Sequence, residues 1–330
     1  MGNSLQTITR MKNWSIAIIG AGQLGSRHLQ GLTKASIPMT ITVFDTSMDA
    51  LRIAEQRYNE VPSNPLINNI SFTTHFEEIP GHIDLAIIST SSGPRFQVTS
   101  NLLENRIVTN ILFEKFLFPK LSEYDQMGKL LSERGINAKV NCARRMFEHY
   151  KILSTFINLS SPIKMEVIGK DWGIGCNSIH YMDLFALITG TSEMKCDFSS
   201  LEKEIIPSKR QGYVEFLGTV EVTSSRGDKL TLSSLKDYSG DNVIKIKAGN
   251  DYYEIDEAKG LMFHNGEEST INTKYQSELT GVAATEILVS RNSPLTSFEE
   301  SARLHTAFLE EAISFYNTVT GSAGDSCPIT

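Results

Sequence analysis

Residues 14–25 read WSIAIIGAGQLG, a short apolar run followed directly by glycines in the pattern G-x-G-x-x-G. In such a turn Gly20 permits a tight bend, Gly22 lets the backbone approach a pyrophosphate, and Gly25 lets the next helix pack closely on the strand. The free N–H groups that open this helix favour an anion. The alternative is a glycine-rich turn without a ligand. The predicted cofactor-binding residues of this stretch are Gly20, Gly22, Gln23, Leu24 and Gly25.

Outward from this stretch, apolar runs alternate with amphipathic stretches as far as Asn141, which is typical of parallel βαβ units. The predicted strands are WSIAII, MTITVF, DLAIIS, RIVTNILF and NAKVN. The predicted helices cover residues 26–33, 47–58, 94–104 and 122–134. This order predicts an α/β domain with a doubly wound parallel sheet, a Rossmann domain.

The pattern changes after about Tyr150. Strand-like segments (YVEFLGTVEV, KLTLSSL, NVIKIK, DYYEI) are separated by turn residues, which favours antiparallel hairpins. Helices are predicted at 177–188, 275–290 and 298–318. We therefore predict an NAD-binding Rossmann domain at 1–145 and an α+β domain at 146–330 for substrate binding and oligomerisation. The second domain has a mainly antiparallel, open-faced sheet, and its open face predicts a homodimer or homotetramer.

The composition excludes several classes of protein. The chain has 330 residues, of which 40% are hydrophobic and 21% charged, an ordinary globular balance for two domains. Its formal net charge of −7 argues against a nucleic-acid binder. The four cysteines form no C-x-x-C pair and the histidines are not spaced as ligands, so no metal site is predicted. With no long apolar run, we expect a cytoplasmic protein without a membrane partner.

Polar residues follow two of the predicted strands. Asp45 ends the second strand, 25 positions after Gly20, near the offset of the acid that binds the ribose hydroxyls. Its carboxylate would repel a 2′-phosphate and Arg52 lies a turn or more away, so NAD is favoured over NADP; the alternative is a surface or capping Asp. Hydroxyl side chains lie at the end of the predicted strand DLAIIS, in the crevice where such sheets bind ligands, although a simple turn also fits. These further cofactor candidates are Ser89, Thr90 and Ser91.

Several segments together resemble one family. They are GAGQLGSRHLQGL, FDTS, IISTSS, FEK, a later His-x-x-Asp and the closing PLTSFEESARLHTAFLEEAISFY. In this order they resemble the Gfo/Idh/MocA oxidoreductases, relatives of glucose–fructose oxidoreductase and inositol dehydrogenase. The resemblance covers most of the chain. It implies hydride transfer between a nicotinamide cofactor and a hydroxyl or keto carbon of a sugar, polyol or sugar derivative.

The family sequence Glu-Lys-Pro corresponds to Glu114, Lys115 and Phe116. The resemblance implies that Glu114 and Lys115 lie beside the cofactor. It also implies that the Lys115 ammonium stabilises the alkoxide that develops on the substrate. Phe116 departs from the family, and the trans peptide that a non-proline residue favours would displace Lys115. The alternative is an exposed lysine at a strand end.

The family motif D-x-G-x-H corresponds to CNSIH at 176–180, so Cys176 replaces the acid. On a helix, Cys176, His180 and Asp183 share a face, with Asn177 beside it. The resemblance implies that His180 accepts the substrate proton, since an unperturbed imidazole titrates near pH ~6.5. Asn177 and Asp183 are predicted substrate contacts. The alternative for His180 is a hydrogen-bonded core histidine.

Arg144 and Arg145 resemble the family's N-x-x-R segment, which here begins at Asn141. Two arginines can grip a carboxylate or phosphate, so they are predicted to bind an anionic sugar or nucleotide sugar. The alternative is a solvated linker face. Because Phe116 and Cys176 depart from the family, a non-catalytic dinucleotide-binding sensor is the second hypothesis for the function. A reductase of another small molecule, such as an imine or linear tetrapyrrole, is the third.

Overall fold

The computed structural model describes residues 12–291 and 293–330. Its first half forms a parallel six-stranded sheet in the order β3-β2-β1-β4-β5-β6. The strands are β1 (Trp14–Ile19), β2 (Met39–Phe44), β3 (Ile67–Thr73), β4 (His82–Ile88), β5 (Ile107–Phe113) and β6 (Asn137–Val140). The helices are α1 (Gln23–Leu32), α2 (Met48–Asn59), α3 (Ser92–Asn105) and α4 (Leu121–Glu133). The predicted doubly wound Rossmann sheet is confirmed.

The helix starts differ from the sequence-based expectation by a few residues. Helix α1 begins at Gln23 rather than Ser26, directly after the second glycine of the motif, so its first N–H groups belong to the turn. Helix α3 begins at Ser92, two residues before Pro94. A proline in the first helical turn removes only an N–H group that has no partner within the helix, so it does not mark the start.

The second half builds an eight-stranded, mostly antiparallel sheet in the order β16-β15-β14-β13-β7-β12-β11-β8, with β7 and β12 parallel. A two-stranded hairpin stands apart from it. The sheet strands are β7 (Lys164–Lys170), β8 (Met194–Asp197), β11 (Gly218–Ser224), β12 (Lys229–Leu235), β13 (Val243–Ala248), β14 (Asp251–Asp256), β15 (Leu261–His264) and β16 (Glu267–Thr270), and the hairpin is β9 (Ile206–Pro207) with β10 (Val214–Glu215). The helices are α5 (Glu148–Phe156), α6 (Ile174–Thr189), α7 (Gln276–Thr285) and α8 (Phe298–Thr320).

Helix α7 returns the chain to the Rossmann domain. A Cβ atom on Gly281 would lie 2.4 Å from the Ala35 nitrogen and 2.6 Å from the Gly31 oxygen, so α7 contacts α1 closely at a residue without a side chain. Leu279 and Ala284 are buried in the same apolar core as the inner strands of the sheet. The predicted helix 275–290 ends as α7 at Thr285 and continues as a π-helical turn, Glu286–Ser290.

The eight-stranded sheet keeps one polar face. Along β7, buried Met165 and Val167 alternate with Lys164 and Glu166, and the exposed side chains beside them on β12 and β13 are also charged. The same face also carries the partly exposed Ile168, Phe263 and Tyr252, and the homo-oligomer expected from the sequence stays a prediction. Within the described ranges, no helix combines the length and hydropathy needed to cross a membrane.

Candidate active site

The glycine turn after β1 has the geometry of a phosphate cradle. Gly20 has φ +99°, and a Cβ atom on Gly25 would lie 1.9 Å from the Gly20 oxygen, so both positions require glycine. A Cβ atom on Gly22 would meet nothing within 4 Å, which leaves this face of the turn open to a ligand. Helix α1 has no capping side chain and no acid in its first turn. The residues present therefore fit a dinucleotide pyrophosphate.

Asp45 lies against this turn. One carboxylate oxygen accepts from the Ala21 N–H at 2.7 Å, and the other accepts from the Ser47 N–H at 2.8 Å. These bonds hold the carboxylate at the end of β2, beside the glycines. Arg52 is exposed and pairs with Asp49 at 3.3 Å.

The hydroxyls after β4 have separate roles. Ser89 is buried and donates to the Gly20 oxygen at 2.7 Å, so its hydroxyl supports the glycine turn. The Thr90 Oγ1 is buried without a hydrogen-bond partner among the described residues, and a bound cofactor would satisfy it. Ser91 precedes α3 without capping it. The sequence predicts cofactor contacts for all three residues, and the geometry suits Thr90 better than Ser89.

Arg95, on α3, holds the loop that carries Lys115, a role that no sequence motif indicates. Its guanidinium is buried and donates to main-chain carbonyls of Glu114 at 2.7 Å and Leu117 at 3.2 Å, and also to those of Thr90 and Phe116. Burial lowers the pKa of Arg95 to about 10, which leaves it charged at neutral pH. It joins the loop after β4 to the loop after β5.

Glu114 is buried in a network that reaches both halves of the chain. Its Oε1 lies 2.8 Å from the His28 Nε2 and accepts a hydrogen bond from Asn141, while the His28 Nδ1 lies 3.0 Å from the Thr280 Oγ1 on α7. Burial raises the pKa of Glu114, but His28, Asn141 and Lys115 outweigh it and bring the pKa below its ordinary value. Glu114 is thus an ionised carboxylate directly before Lys115 in the chain.

Lys115 reaches from the Rossmann domain to α6. Its Nζ donates to the Cys176 oxygen at 2.9 Å, and the side chain is half-buried. Burial lowers its pKa, whereas the neighbouring Cys176 and Glu114 act in the opposite direction. The alternative of an exposed lysine at a strand end does not match this placement.

His180 lies one helical turn after Cys176 and lines a cavity of about 530 Å³ with Arg144 and Glu257. Burial lowers its pKa well below the ordinary value, and the charges of Lys115 and Arg144 lower it further. The expectation of an imidazole that titrates near pH ~6.5 is therefore wrong, because the side chain is half-buried beside cations. The charge of Lys115 therefore acts on His180, but Lys115 is not among the residues that line the His180 cavity.

Cys176 and Asn177 line a different cavity, of about 340 Å³, with Ser208 and Glu215. The amide nitrogen of Asn177 donates to the Trp172 oxygen at 2.7 Å. Burial, followed by the charge of Glu215, raises the pKa of the Cys176 thiol to about 11, so it is neutral at physiological pH. The helix face predicted to be shared with His180 is therefore divided between two cavities.

Arg144 is already paired. Its Nε and Nη2 donate to the two Glu257 oxygens at 2.8 and 2.6 Å, and its guanidinium lies 4.3 Å from the ring centre of Tyr181. Glu257 also accepts from the Tyr150 hydroxyl at 2.8 Å. Burial lowers the pKa of Arg144, but Tyr181 and Glu257 outweigh it and raise the pKa. The guanidinium lines the His180 cavity as one half of an ion pair.

Arg145 and Asp183 face each other in the interior. The Arg145 Nε donates to Asp183 at 2.8 Å and its Nη2 donates to Glu300 at 2.7 Å. Asp183 is fully buried, and burial raises its pKa to about 6 although Arg145 opposes this. The pair is therefore not placed against either cavity, in contrast to the predicted substrate contacts, and neither arginine lies on a solvated face. The sequence could not show this, because the partners lie 38 and 155 positions from Arg145.

A comparison with known families decides the class of this site. The Gfo/Idh/MocA model, described as an oxidoreductase family with an NAD-binding Rossmann fold, matches residues 14–142. The match covers the N-terminal domain, which is thus similar in sequence to the NAD-binding domain of the Gfo/Idh/MocA oxidoreductases. No curated protein matches the sequence.

Solved structures share the fold over most of the chain. A UDP-N-acetylglucosamine 3-dehydrogenase from Acidithiobacillus ferrooxidans has a TM-score of 0.69 at 14% identity, covering 91% of this chain and 97% of its own. A WlbA dehydrogenase from Bordetella pertussis, in complex with NADH and UDP-GlcNAcA, has a TM-score of 0.68 at 14% identity, and the match covers 94% of this chain and 96% of that one. A biliverdin reductase from Synechocystis, in complex with biliverdin and NADP+, has a TM-score of 0.65 at 10% identity, and the match covers 90% of this chain and 98% of that one. At these identities the likeness concerns the fold.

Phe116 stands where the Gfo/Idh/MocA motif has proline. The Lys115–Phe116 peptide is nevertheless cis, so the trans peptide expected for a non-proline residue is not found. The Phe116 ring is fully buried, with ring centres 4.7 Å from His305 and 6.1 Å from Phe308 on α8. These contacts anchor the residue after Lys115 in the core.

Among the described residues, no three His, Cys, Asp or Glu side chains are arranged to hold a metal ion.

Proposed function

We propose that the protein is an NAD-dependent oxidoreductase that acts on a CH–OH carbon of a sugar, polyol or sugar derivative. The observation that supports this most is the contact of the Lys115 Nζ with α6, one turn from His180, at the carboxyl end of β5. This end of a doubly wound sheet is where a dinucleotide lies. An ammonium and a neutral imidazole there suit alcohol–ketone chemistry.

When bound, the nicotinamide supplies the hydride acceptor or donor at its C4 carbon. In the oxidation direction, the substrate C–H bond breaks and both of its electrons leave with the hydrogen as hydride. The hydroxyl proton passes to an imidazole nitrogen of neutral His180, and the C–O bond becomes a carbonyl. The Lys115 ammonium donates a hydrogen bond to the oxygen as negative charge develops there.

The cavity beside His180 suggests the substrate class. Its volume of about 530 Å³ falls in the usual range for small-molecule sites. Arg144 and the exposed Lys274 line it, opposed by Glu257. Two cations against one carboxylate favour an anionic substrate, so we propose a uronic acid or a nucleotide sugar. Two of the solved structures of this fold carry such sugars in their names.

The choice between NAD and NADP rests on Asp45. We expect NADH to bind at least tenfold more tightly than NADPH, a difference of ~1.4 kcal/mol, because the Asp45 carboxylate would face a 2′-phosphate. Fluorescence titration with both reduced cofactors measures this. Asp45→Asn should reduce the preference for NADH over NADPH. Asp49 is an exposed acid at the start of α2, and Asp49→Asn should leave that preference unchanged. Equal affinities in the unchanged protein would remove Asp45 from the ribose site.

His180 is expected to contribute about a hundredfold to kcat, a typical share for one acid–base group. His180→Asn should show this loss in steady-state turnover. Because burial and cations lower the His180 pKa, the neutral imidazole that accepts a proton is present at pH 7. The acid limb of the kcat/KM profile should therefore lie below pH ~6.5. A full rate in His180→Asn, with the same acid limb, would exclude it as the proton acceptor.

A further inference from the structure

Glu215 is a buried carboxylate that faces the first turn of α6. It belongs to the short strand β10 and is 7% exposed. One oxygen accepts from the Gly175 N–H at 2.7 Å, and the other accepts from the Cys176 N–H at 3.1 Å. The residue before α6 is Gly173, which has no side chain with which to cap the helix. Glu215 therefore satisfies two N–H groups that the helix itself leaves free.

Two glycines make room for this carboxylate. A Cβ atom on Gly173 would lie 2.9 Å from one Glu215 oxygen, and a Cβ atom on Gly175 would lie 3.0 Å from the other. Gly173 also has φ +80°, which glycine adopts readily. Glycine at both positions therefore allows the Glu215 carboxylate to approach the start of α6 this closely.

The main chain of Cys176 links Glu215 to Lys115. The Cys176 N–H donates to Glu215 at 3.1 Å, and its carbonyl accepts from the Lys115 Nζ at 2.9 Å. The charge of Lys115 also lowers the pKa of Glu215, although burial raises it more. The charged or titratable groups that interact with Lys115 come from several elements: Glu114, Cys142, Cys176, His180, Arg210, Glu215 and His305.

We propose that Glu215 is a positioning residue for the Lys115 ammonium. It fixes the first turn of α6, and it supplies from β10 the negative charge that the Gfo/Idh/MocA motif places at position 176. The inference depends on the proposed function only for the catalytic role of Lys115. Since Cys176 is next to Glu215, an acid at both positions would place two carboxylates together in a buried site.

The first experiment needs no substrate. Competitive labelling with acetic anhydride across pH, resolved by peptide mass spectrometry, gives the pKa of the Lys115 amine, with exposed Lys129 as internal reference. Glu215→Gln keeps an oxygen acceptor for α6 but removes the charge. Loss of a nearby negative charge favours the neutral amine, so Lys115 should be acetylated at least threefold faster at neutral pH. Glu221→Gln, on β11, should change nothing. An unchanged Lys115 rate in Glu215→Gln would overturn the inference.

The second experiment uses the sugar substrate found by the test of the proposed function. Glu215→Gln should lower kcat at least tenfold and leave KM and NADH affinity within threefold. Glu215→Gln with Cys176→Asp moves the charge by one residue and should recover most of kcat, whereas Cys176→Asp alone should be slower than the double variant. A Glu215→Gln variant that loses only thermal stability, with kcat unchanged, would make Glu215 a simple helix cap. If no sugar reacts, the proposed function fails, but the labelling result still shows whether the negative charge of Glu215 acts on the Lys115 amine.

Discussion

Lys115→Met is expected to abolish turnover while the affinity for NAD changes by less than about threefold, or ~0.65 kcal/mol. Methionine keeps the length of the side chain but provides no donor for the oxygen that gains charge in the reaction. The fold should tolerate the change, because the Cys176 carbonyl lies inside α6 and has helical partners. Steady-state rates with a reactive sugar and fluorescence titration with NADH measure the two quantities.

Lys120→Met is the matched control, since Lys120 follows the same loop, is half-exposed and pairs only at the surface with Asp325. It should retain full activity. Full activity in Lys115→Met would reject the proposed mechanism. A joint loss of turnover and NAD binding would instead make Lys115 part of the cofactor site alone.

Arg95→Met is expected to lower the free energy of unfolding by about 3–5 kcal/mol. The substitution leaves buried carbonyls of the two loops without a donor, and each such group costs about 1–3 kcal/mol before relaxation. The same change frees the loop that holds Lys115, so kcat should fall even in the folded fraction. Denaturant unfolding and steady-state kinetics are the measurements.

Arg106→Met offers a comparison at the other end of α3. Arg106 also donates to main-chain carbonyls, those of Phe76, Ile79 and Asn105, but it is half-buried and lies at the opposite end of β5 from Lys115. It should lose less stability and no activity. If Arg95→Met does not fold, Arg95→Lys keeps the charge with fewer donors and should show a smaller loss of both. An Arg95→Lys variant with unchanged stability and kcat would contradict this role.

The parallel sheet was predictable because its signal is local. The inner strands are rich in apolar residues, most of which are buried, and the Gly20 turn carries its own geometric requirements. Strands β3 and β7, helix α5 and the short strands β8, β9, β15 and β16 were missed. Strand β9 is two residues long, and the exposed Phe156 and Ile152 of α5 blur its apolar periodicity.

The candidate site was predictable only where a motif named its residues. Lys115 and His180 came from the resemblance, and they lie near each other in the structure. His28 and Glu215 were not predicted, because their partners are far along the chain: the Thr280 partner of His28 lies 252 positions away. Arg95 was not predicted because its partners are main-chain carbonyls, which no sequence motif reveals. The predicted anion-binding arginines illustrate the same limit, since a cation in the sequence does not reveal the carboxylate that the fold places against it.

NADH absorbance distinguishes a chain that transfers hydride from one that only binds a dinucleotide. The protein is mixed with NAD and a panel of sugars, uronic acids and nucleotide sugars, and with NADH and the corresponding keto sugars. We expect at least one compound to change the absorbance at a rate that depends on enzyme concentration, and we expect Lys115→Met to give no change. Tight NAD binding without any reaction across the panel would contradict hydride transfer and favour a dinucleotide sensor.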